Sequence, residues 1–139
     1  MTKVYIAGVG MTQMGKLLDR SVKSLTAGAV GAALSDGGID KSHLQAAYFS
    51  NATQGHMEGQ EMIRGEIALR DMGVEEIPVV NVENACASGA TAFNLAVQFL
   101  KAGEGDVSLA VGVEKMFSTD RALMFSVFDA AWDVAAVEE

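Results

Sequence analysis

Residues 78–101 read PVVNVENACASGATAFNLAVQFLK, and this stretch decides how we expect the chain to fold. Its first five residues are mostly apolar and β-branched, with proline at the first position where no ladder donor is lost, which predicts a strand. Residues 86–101 begin with small side chains and become apolar all round before Gly103, which predicts a buried helix. A strand that leads directly into a helix is the unit from which parallel sheets are built.

The rest of the chain repeats this alternation of strand and helix. Helical spacing of apolar residues predicts helices over residues 21–34, with Ser21 as N-cap, and over residues 58–72. Short apolar runs predict three further strands, at residues 4–9, 44–49 and 106–113. Four strands separated by three helices predict an α/β fold in the order βαβαβαβ, with a mostly parallel β-sheet covered by helices.

Length and charge narrow the classes of protein to which the chain can belong. It has 139 residues, with 10 Lys and Arg against 18 Asp and Glu and a net charge of -8. This length suits one domain or a small two-layer unit. The acidic balance argues against nucleic acid or an anionic membrane as partner. No apolar run approaches the roughly 18 residues of a membrane span, and the single cysteine excludes an internal disulfide. We therefore expect a soluble, cytoplasmic protein.

That single cysteine, Cys86, lies where the predicted strand gives way to the predicted helix. Unpaired N–H groups and the positive end of a helix favour a thiolate over a thiol. The same N–H groups can bind the oxyanion that forms when a thioester carbonyl is attacked. A lone cysteine is also often a small buried hydrophobe without chemistry. The residues alone therefore leave both interpretations of Cys86 open.

Residues 81–89, NVENACASG, resemble the nucleophile segment of the thiolase superfamily, most closely that of archaeal and bacterial thiolases related to the sterol-carrier-protein-associated thiolases. Residues 4–10, residues 59–60 and VGVEKM at residues 111–116 are similar to further family segments and occur in the same order. The resemblance implies that Cys86 takes an acyl group from a coenzyme A thioester and passes it to coenzyme A or to an acetyl-derived carbanion. It also implies that the Cys86 N–H serves the oxyanion hole, and that coenzyme A thioester is the substrate with no cofactor bound permanently.

The chain departs from the family in length. Thiolases are much longer, with two similar halves and a loop domain, and the general-base histidine and second catalytic cysteine lie in the second half. We therefore expect residues 1–116 to form the N-terminal thiolase-like domain and residues 117–139 to begin an incomplete loop domain. A truncated or split acyltransferase of this kind would need a second chain for the missing half, or would be a homo-oligomer such as a homodimer, and would be inactive alone. A non-catalytic scaffold subunit and a retro-aldolase-type relative are the alternatives.

Other residues give weaker signals. We expect His43 on the surface and His56 in a structural or interfacial role, while Met116 lies either near the acyl pocket, by resemblance, or in the core. Two histidines and one cysteine do not make a zinc site, so no metal is expected. Residues 8–10 lack the third glycine of a dinucleotide-binding fingerprint. The acidic stretch at residues 129–139 is interpreted as a solvated helix face or a frayed terminus. An apolar helix without cover predicts self-association.

Overall fold

A parallel β-sheet organises the computed structural model, which describes residues 2–133 and 135–136. The middle strand, β1 (Ala46–Ser50), pairs in parallel with β2 (Val79–Val82) on one side and with β3 (Ser108–Gly112) on the other. The strands predicted at residues 44–49, 78–82 and 106–113 are therefore confirmed, although the observed ends differ by one or two residues. The parallel direction of the sheet is confirmed as well.

Helices cover both faces of this sheet. On one face lie α1 (Val22–Gly37) and α3 (Arg64–Asp71), and the fully buried side chains of Phe49 on β1 and Leu69 on α3 belong to the core there. On the other face α4 (Ser88–Ala102) packs over β1 and β3, and its Phe99 ring meets the ring of Tyr48 edge-on, with a centroid distance of 6.5 Å. The α/β class predicted from the sequence is confirmed. The helices are α1 (Val22–Gly37), α2 (Gln54–Glu58), α3 (Arg64–Asp71), α4 (Ser88–Ala102) and α5 (Arg121–Ser126), with 3₁₀ turns at Lys41–His43, Ala85–Ala87 and Asp129–Ala131.

The predicted helices at residues 21–34 and 86–101 correspond to α1 and α4. The Ser21 side chain accepts a hydrogen bond from the Ser24 N–H at 3.1 Å, which confirms it as the N-cap of α1. On α4 only one stripe of small residues is buried, whereas Phe93 is 50% exposed. The prediction that this helix is buried all round is therefore wrong for this chain, because helices and strands cover only one of its faces.

Residues 4–9 were predicted as a strand, and that prediction is wrong. The segment lies along α1: Gly10 approaches the Ala29 carbonyl so closely that a side chain there would clash, and the Val9 N–H donates to Asp36 Oδ2 at 2.9 Å. A groove of about 750 Å³ lies between residues 2–10 and β3. The backbone of the segment is thus held by α1 outside the hydrogen-bonding distance of the sheet, and Tyr5 and Ile6 remain exposed.

The single helix predicted over residues 58–72 is also wrong, because α2 and α3 are separated by a turn. Gly59 adopts a left-handed φ of +75° where α2 ends, and Ile63 has φ +48° immediately before α3. The Gly65 N–H then donates to the Asn81 side chain at 2.7 Å, which fixes the start of α3 beside β2. Met62 and Ile63, which lie in this turn, are consequently exposed.

The C-terminal part of the chain contains the short helix α5, as its helical pattern at residues 121–124 predicts. Of the acidic stretch at residues 129–139, residues 134 and 137–139 lie outside the described residues, so its interpretation as a helix face or frayed terminus stays a prediction there. Trp132, within the described part, is 74% exposed. Among the helices of the described ranges, none is both long enough and apolar enough to cross a membrane.

We predict that Gly65→Ala destabilises the fold by about 2 kcal/mol, because the added methyl group would overpack the core. An ideal Cβ at this position would lie 2.5 Å from Cβ of the fully buried Phe49. Gly31→Ala on α1 is the matched control, since nothing lies within 4 Å of its added methyl group and alanine favours the helix by about 1 kcal/mol. Urea unfolding followed by circular dichroism measures both changes. Equal shifts of the two variants in one direction would contradict the packing assignment.

Candidate active site

The carboxyl ends of the three strands meet at one edge of the sheet. Because the strands are parallel and in register, Val82 of β2, Ser50 of β1 and Gly112 of β3 form one row across the sheet. The loops that follow these strands therefore begin side by side. In parallel α/β sheets ligands bind at this edge, so groups that carry chemistry are expected here.

Cys86 lies at this edge, in the 3₁₀ turn between β2 and α4, and its side chain is exposed. The preceding residue, Ala85, has a left-handed φ of +45°. This conformation costs a residue other than glycine about 1–2 kcal/mol, so the surrounding contacts must hold it. The turn therefore presents the thiol at the start of a 15-residue helix rather than inside the core.

Polar side chains hold this turn from both ends. The Ser88 hydroxyl accepts a hydrogen bond from the Asn84 N–H at 2.8 Å and donates one to the Ala85 carbonyl at 2.7 Å. Glu83 Oε1 accepts from the Ala85 N–H at 2.6 Å. The Asn84 side chain donates a hydrogen bond to the hydroxyl of Thr91, in the first turn of α4, at 3.0 Å. These four contacts fix the backbone on both sides of Cys86.

The backbone N–H groups around the thiol differ in their partners. The Ala85 N–H is taken by Glu83, the Ala87 N–H donates to the Asn84 carbonyl at 2.9 Å, and the Ser88 N–H donates to the Ala85 carbonyl. The Cys86 N–H, by contrast, donates to no other group within residues 2–133 and 135–136. It is a free donor next to the sulfur, as an oxyanion site requires.

Beneath the turn, the start of α4 rests on the ends of β1 and β3. An ideal Cβ at Gly89 would lie 3.9 Å from the Ser50 hydroxyl, and the Ser50 hydroxyl in turn donates to the Val111 carbonyl at 3.2 Å. An ideal Cβ at Gly112 would lie 2.6 Å from the same hydroxyl, so glycine at this position leaves room for the Ser50 side chain at the end of the sheet.

A second polar cluster, which the sequence analysis missed, joins the loops after β1 and β3. Asn51 is buried, and its amide donates to the Val113 carbonyl at 2.6 Å. The side-chain oxygen Oδ1 of Asn51 accepts one hydrogen bond from Arg64 Nη1 at 2.8 Å and another from the Gln54 N–H at 2.9 Å. An asparagine directly after a buried strand is the signal that could have identified it. Asn51 thus connects three separate parts of the chain at the edge that carries Cys86.

Glu114 strengthens the same connection. Its carboxylate accepts hydrogen bonds from the Ala52 N–H and from the Thr53 hydroxyl. Beside it, Lys115 forms an ion pair with Glu58 of α2 at 3.5 Å. The VGVEKM segment, noted in the sequence only for its resemblance, therefore holds the loop after β1 in place.

Two cavities formed by the described residues are lined by residues other than Cys86. A cavity of about 350 Å³ lies between the N-terminal segment, α1 and the loop after β3, and Met116 lines it. The groove beside β3 is the second of the two cavities that we describe, and Cys86 lines neither. Met116 is half-buried in the first cavity, so its expected place near an acyl pocket next to Cys86 stays a prediction.

Neither histidine forms a hydrogen bond with this turn within the described residues. His43 is exposed in the 3₁₀ turn at Lys41–His43, as predicted for a surface residue. His56 Nε2 lies 2.8 Å from the Ser126 hydroxyl. Because that hydroxyl donates its proton to the Leu123 carbonyl at 2.9 Å, His56 must be the donor. His56 therefore ties α2 to α5, which agrees with a structural role.

Comparison with known proteins identifies the family of this chain. Residues 4–133 match the family model described as "Thiolase, N-terminal domain". The chain belongs to the thiolase family. The resemblance recognised in residues 81–89 is thereby confirmed for almost the whole chain. A solved structure with the same fold is the 3-oxoacyl-[acyl-carrier-protein] synthase III of Aquifex aeolicus, with a TM-score of 0.63 at 13% identity over 76% of this chain and 35% of that chain.

Two relatives show how much of a thiolase the chain represents. It is 41% identical over 116 residues to the acetyl-CoA acetyltransferase of Methanocaldococcus jannaschii, covering 84% of this chain and 29% of that protein. It is 39% identical over 115 residues to the benzoylsuccinyl-CoA thiolase subunit BbsB of Thauera aromatica, covering 81% of this chain and 28% of that protein. The chain thus spans less than a third of the length of these thiolase-family relatives.

We predict that Asn51→Ala lowers the free energy of unfolding by about 2 kcal/mol, because it leaves the Val113 carbonyl and the Gln54 N–H without their partner and takes one acceptor from the Arg64 guanidinium. Asn94→Ala is the matched control, since Asn94 is exposed on α4 and its replacement changes stability by less than about 0.5 kcal/mol. Urea denaturation of the two variants and the unaltered chain gives both values. A loss at Asn51 no larger than that at Asn94 would show that this cluster does not support the edge.

Proposed function

We propose that this chain is the nucleophile-bearing part of a thiolase-type acyl-CoA acyltransferase, with Cys86 as the residue that accepts the acyl group. The observation that carries the proposal is the exposed thiol beside a free backbone N–H, at the carboxyl edge of the sheet. Membership of the thiolase family and its coenzyme-A-dependent relatives support the same chemistry. The proposed substrate is an acyl-CoA, and the enzyme would need no permanently bound cofactor.

The first half-reaction can be written with these groups. The Cys86 sulfur attacks the thioester carbonyl carbon, and the carbonyl oxygen gains negative charge, which the Cys86 N–H stabilises by donating a hydrogen bond to it. When the intermediate collapses, the bond between carbon and the coenzyme A sulfur breaks and an acyl-Cys86 thioester remains. The proton lost from the Cys86 thiol ends on the released coenzyme A thiol. The second half-reaction passes the acyl group from Cys86 to coenzyme A or to an acetyl-derived carbanion.

Other groups must supply the proton transfers of the cycle. A cysteine nucleophile normally needs a base or another activating group, and His43 and His56 are both placed elsewhere. The proposed arrangement therefore has residues 1–116 as the N-terminal thiolase-like domain, residues 117–139 as the beginning of a loop domain, and a second half supplied by further polypeptide. By itself the chain would not complete the cycle. The reduced thiol that it requires suits the cytoplasm.

Mass spectrometry of the chain after incubation with acetyl-CoA or a longer acyl-CoA tests the proposal, with and without a thiolase second half added. Because Cys86 is the only cysteine of this chain, every thioester adduct found on the mass of this chain must lie on it. We expect a hydroxylamine-sensitive acyl adduct when the second half is present, and little or none with this chain alone.

Cys86→Ala is the control, because it removes the only thiol and leaves all lysines that could be acylated non-specifically. The adduct should disappear in this variant. If the unaltered chain carries no more hydroxylamine-sensitive acyl group than Cys86→Ala, even with the second half present, Cys86 is not the acyl acceptor.

A non-catalytic scaffold is the second candidate, and exposed apolar surface is consistent with both candidates. Val80 lies on β2, whose outer edge is unpaired in the described part of the chain, and it is 42% exposed. Phe93, Phe125 and Trp132 add exposed aromatic surface. Surface of this kind marks interaction sites, so the chain would associate with itself or with a second chain in either role. The two candidates differ in whether Cys86 matters to the assembled complex.

Size-exclusion chromatography with light scattering tests self-association. We expect a dimer or larger species for the unaltered chain. Val80→Lys should increase the monomer fraction, because a charged side chain blocks pairing at a strand edge. Ser35→Lys, on the exposed surface of α1, adds the same charge away from that edge and should leave the assembly unchanged. A well-behaved monomer of the unaltered chain would contradict the expected self-association.

A further inference from the structure

The hydroxyl of Ser88 is buried inside the turn that presents Cys86. Ser88 is only 5% exposed, and its hydroxyl bonds with the Asn84 N–H at 2.8 Å and the Ala85 carbonyl at 2.7 Å. Asn84 and Ala85 precede the cysteine, whereas Ser88 follows it by two residues. The two hydrogen bonds therefore close a loop of backbone that has Cys86 at its tip.

The geometry points to Ser88 as a positioning residue for Cys86, an inference that rests on the proposed function of Cys86. Ser88 bonds with backbone groups and not with the thiol, so it acts through the conformation of the turn. The Ser88 hydroxyl accepts a hydrogen bond from the Asn84 N–H and donates one to the Ala85 carbonyl. Together these two bonds hold the Ala85 backbone in the left-handed region. Without these bonds the backbone would relax, and the Cys86 sulfur and N–H would lose their shared orientation.

The other polar contacts of the turn cannot replace this one. Glu83 and Asn84 are exposed, so water can substitute for their side-chain hydrogen bonds at small cost. The Ser88 hydroxyl is enclosed, and water cannot take its place without opening the turn. A displacement of about 1 Å at a reacting group can cost roughly 100-fold in rate. The buried serine is therefore the contact on which the placement of the thiol depends most.

The test compares Ser88→Ala with Ser108→Ala in the full chain. Ser108 is the matched control because its hydroxyl also bonds with α4, donating to the Ala96 carbonyl at 3.1 Å, but far from the turn. Two quantities are measured: amide hydrogen exchange in peptides covering residues 83–90, without acyl-CoA, and the rate of Cys86 acylation with the second half supplied.

We expect Ser88→Ala to speed exchange at residues 83–90 by about 10-fold through local opening, and to slow acylation by about 10- to 100-fold. Ser108→Ala should change neither. Ser88→Thr, which keeps the hydroxyl, should restore most of the acylation rate. If Ser88→Ala changes exchange and acylation no more than Ser108→Ala does, Ser88 does not position Cys86.

A second background keeps the test valid if Ser88→Ala folds poorly. Glycine adopts a left-handed φ without steric cost, so Ala85→Gly should make the turn depend less on Ser88. In the Ala85→Gly background, Ser88→Ala should then slow acylation several-fold less than in the unaltered chain. An equal effect of Ser88→Ala in both backgrounds would overturn the proposed mechanism.

Failure of this inference can be told apart from failure of the proposed function. If Cys86 of the unaltered chain is never acylated, the proposed function is wrong, and the acylation rate can no longer be used to test Ser88. The exchange measurement needs no acyl-CoA and still decides whether Ser88 holds the turn. If Cys86 is acylated and the rate of acylation is the same in Ser88→Ala, only the positioning role of Ser88 is overturned.

Discussion

The structure depends on the parallel pairing of β1 with both of its neighbours. Ser50 lies opposite Val82 on one side and Gly112 on the other, so all three strands end in the same row. A shift of one residue in either pairing would turn the side chains of a strand to the opposite face. It would also move the Cys86 turn relative to the loops that follow β1 and β3. The register of the sheet therefore sets the layout of the candidate active site.

Features of the chain that are determined locally could be predicted from the sequence. The cap at Ser21, the three observed strands and the strand–turn–helix around Cys86 each depend on neighbouring residues, and their patterns predicted them correctly. The break between α2 and α3 was not predicted, because the turn before α3 is fixed partly by the Asn81 side chain on another strand. The Asn51 cluster was missed for the same reason, since its partners lie up to 62 residues away.

The failed strand at residues 4–9 shows a different limit of sequence patterns. An apolar, β-branched run indicates an extended backbone that prefers to be covered, but in this segment Tyr5, Ile6 and Val9 remain exposed. Whether an extended segment joins a sheet depends on which surface of the fold it packs against. Here the close approach of Gly10 to α1 and the bond from Val9 to Asp36 hold it on a helix. Periodicity contains no information about that choice.

The open edges of the sheet and the Cys86 turn are largely independent of each other. The outer edge of β2, the groove beside β3 and the exposed aromatic residues are surfaces that a partner would cover. The turn, in contrast, is held by hydrogen bonds among residues 83–91. None of these contacts crosses an open edge. The geometry of the Cys86 turn is therefore encoded within residues 83–91, whereas the exposed apolar surfaces lie at other places in the fold.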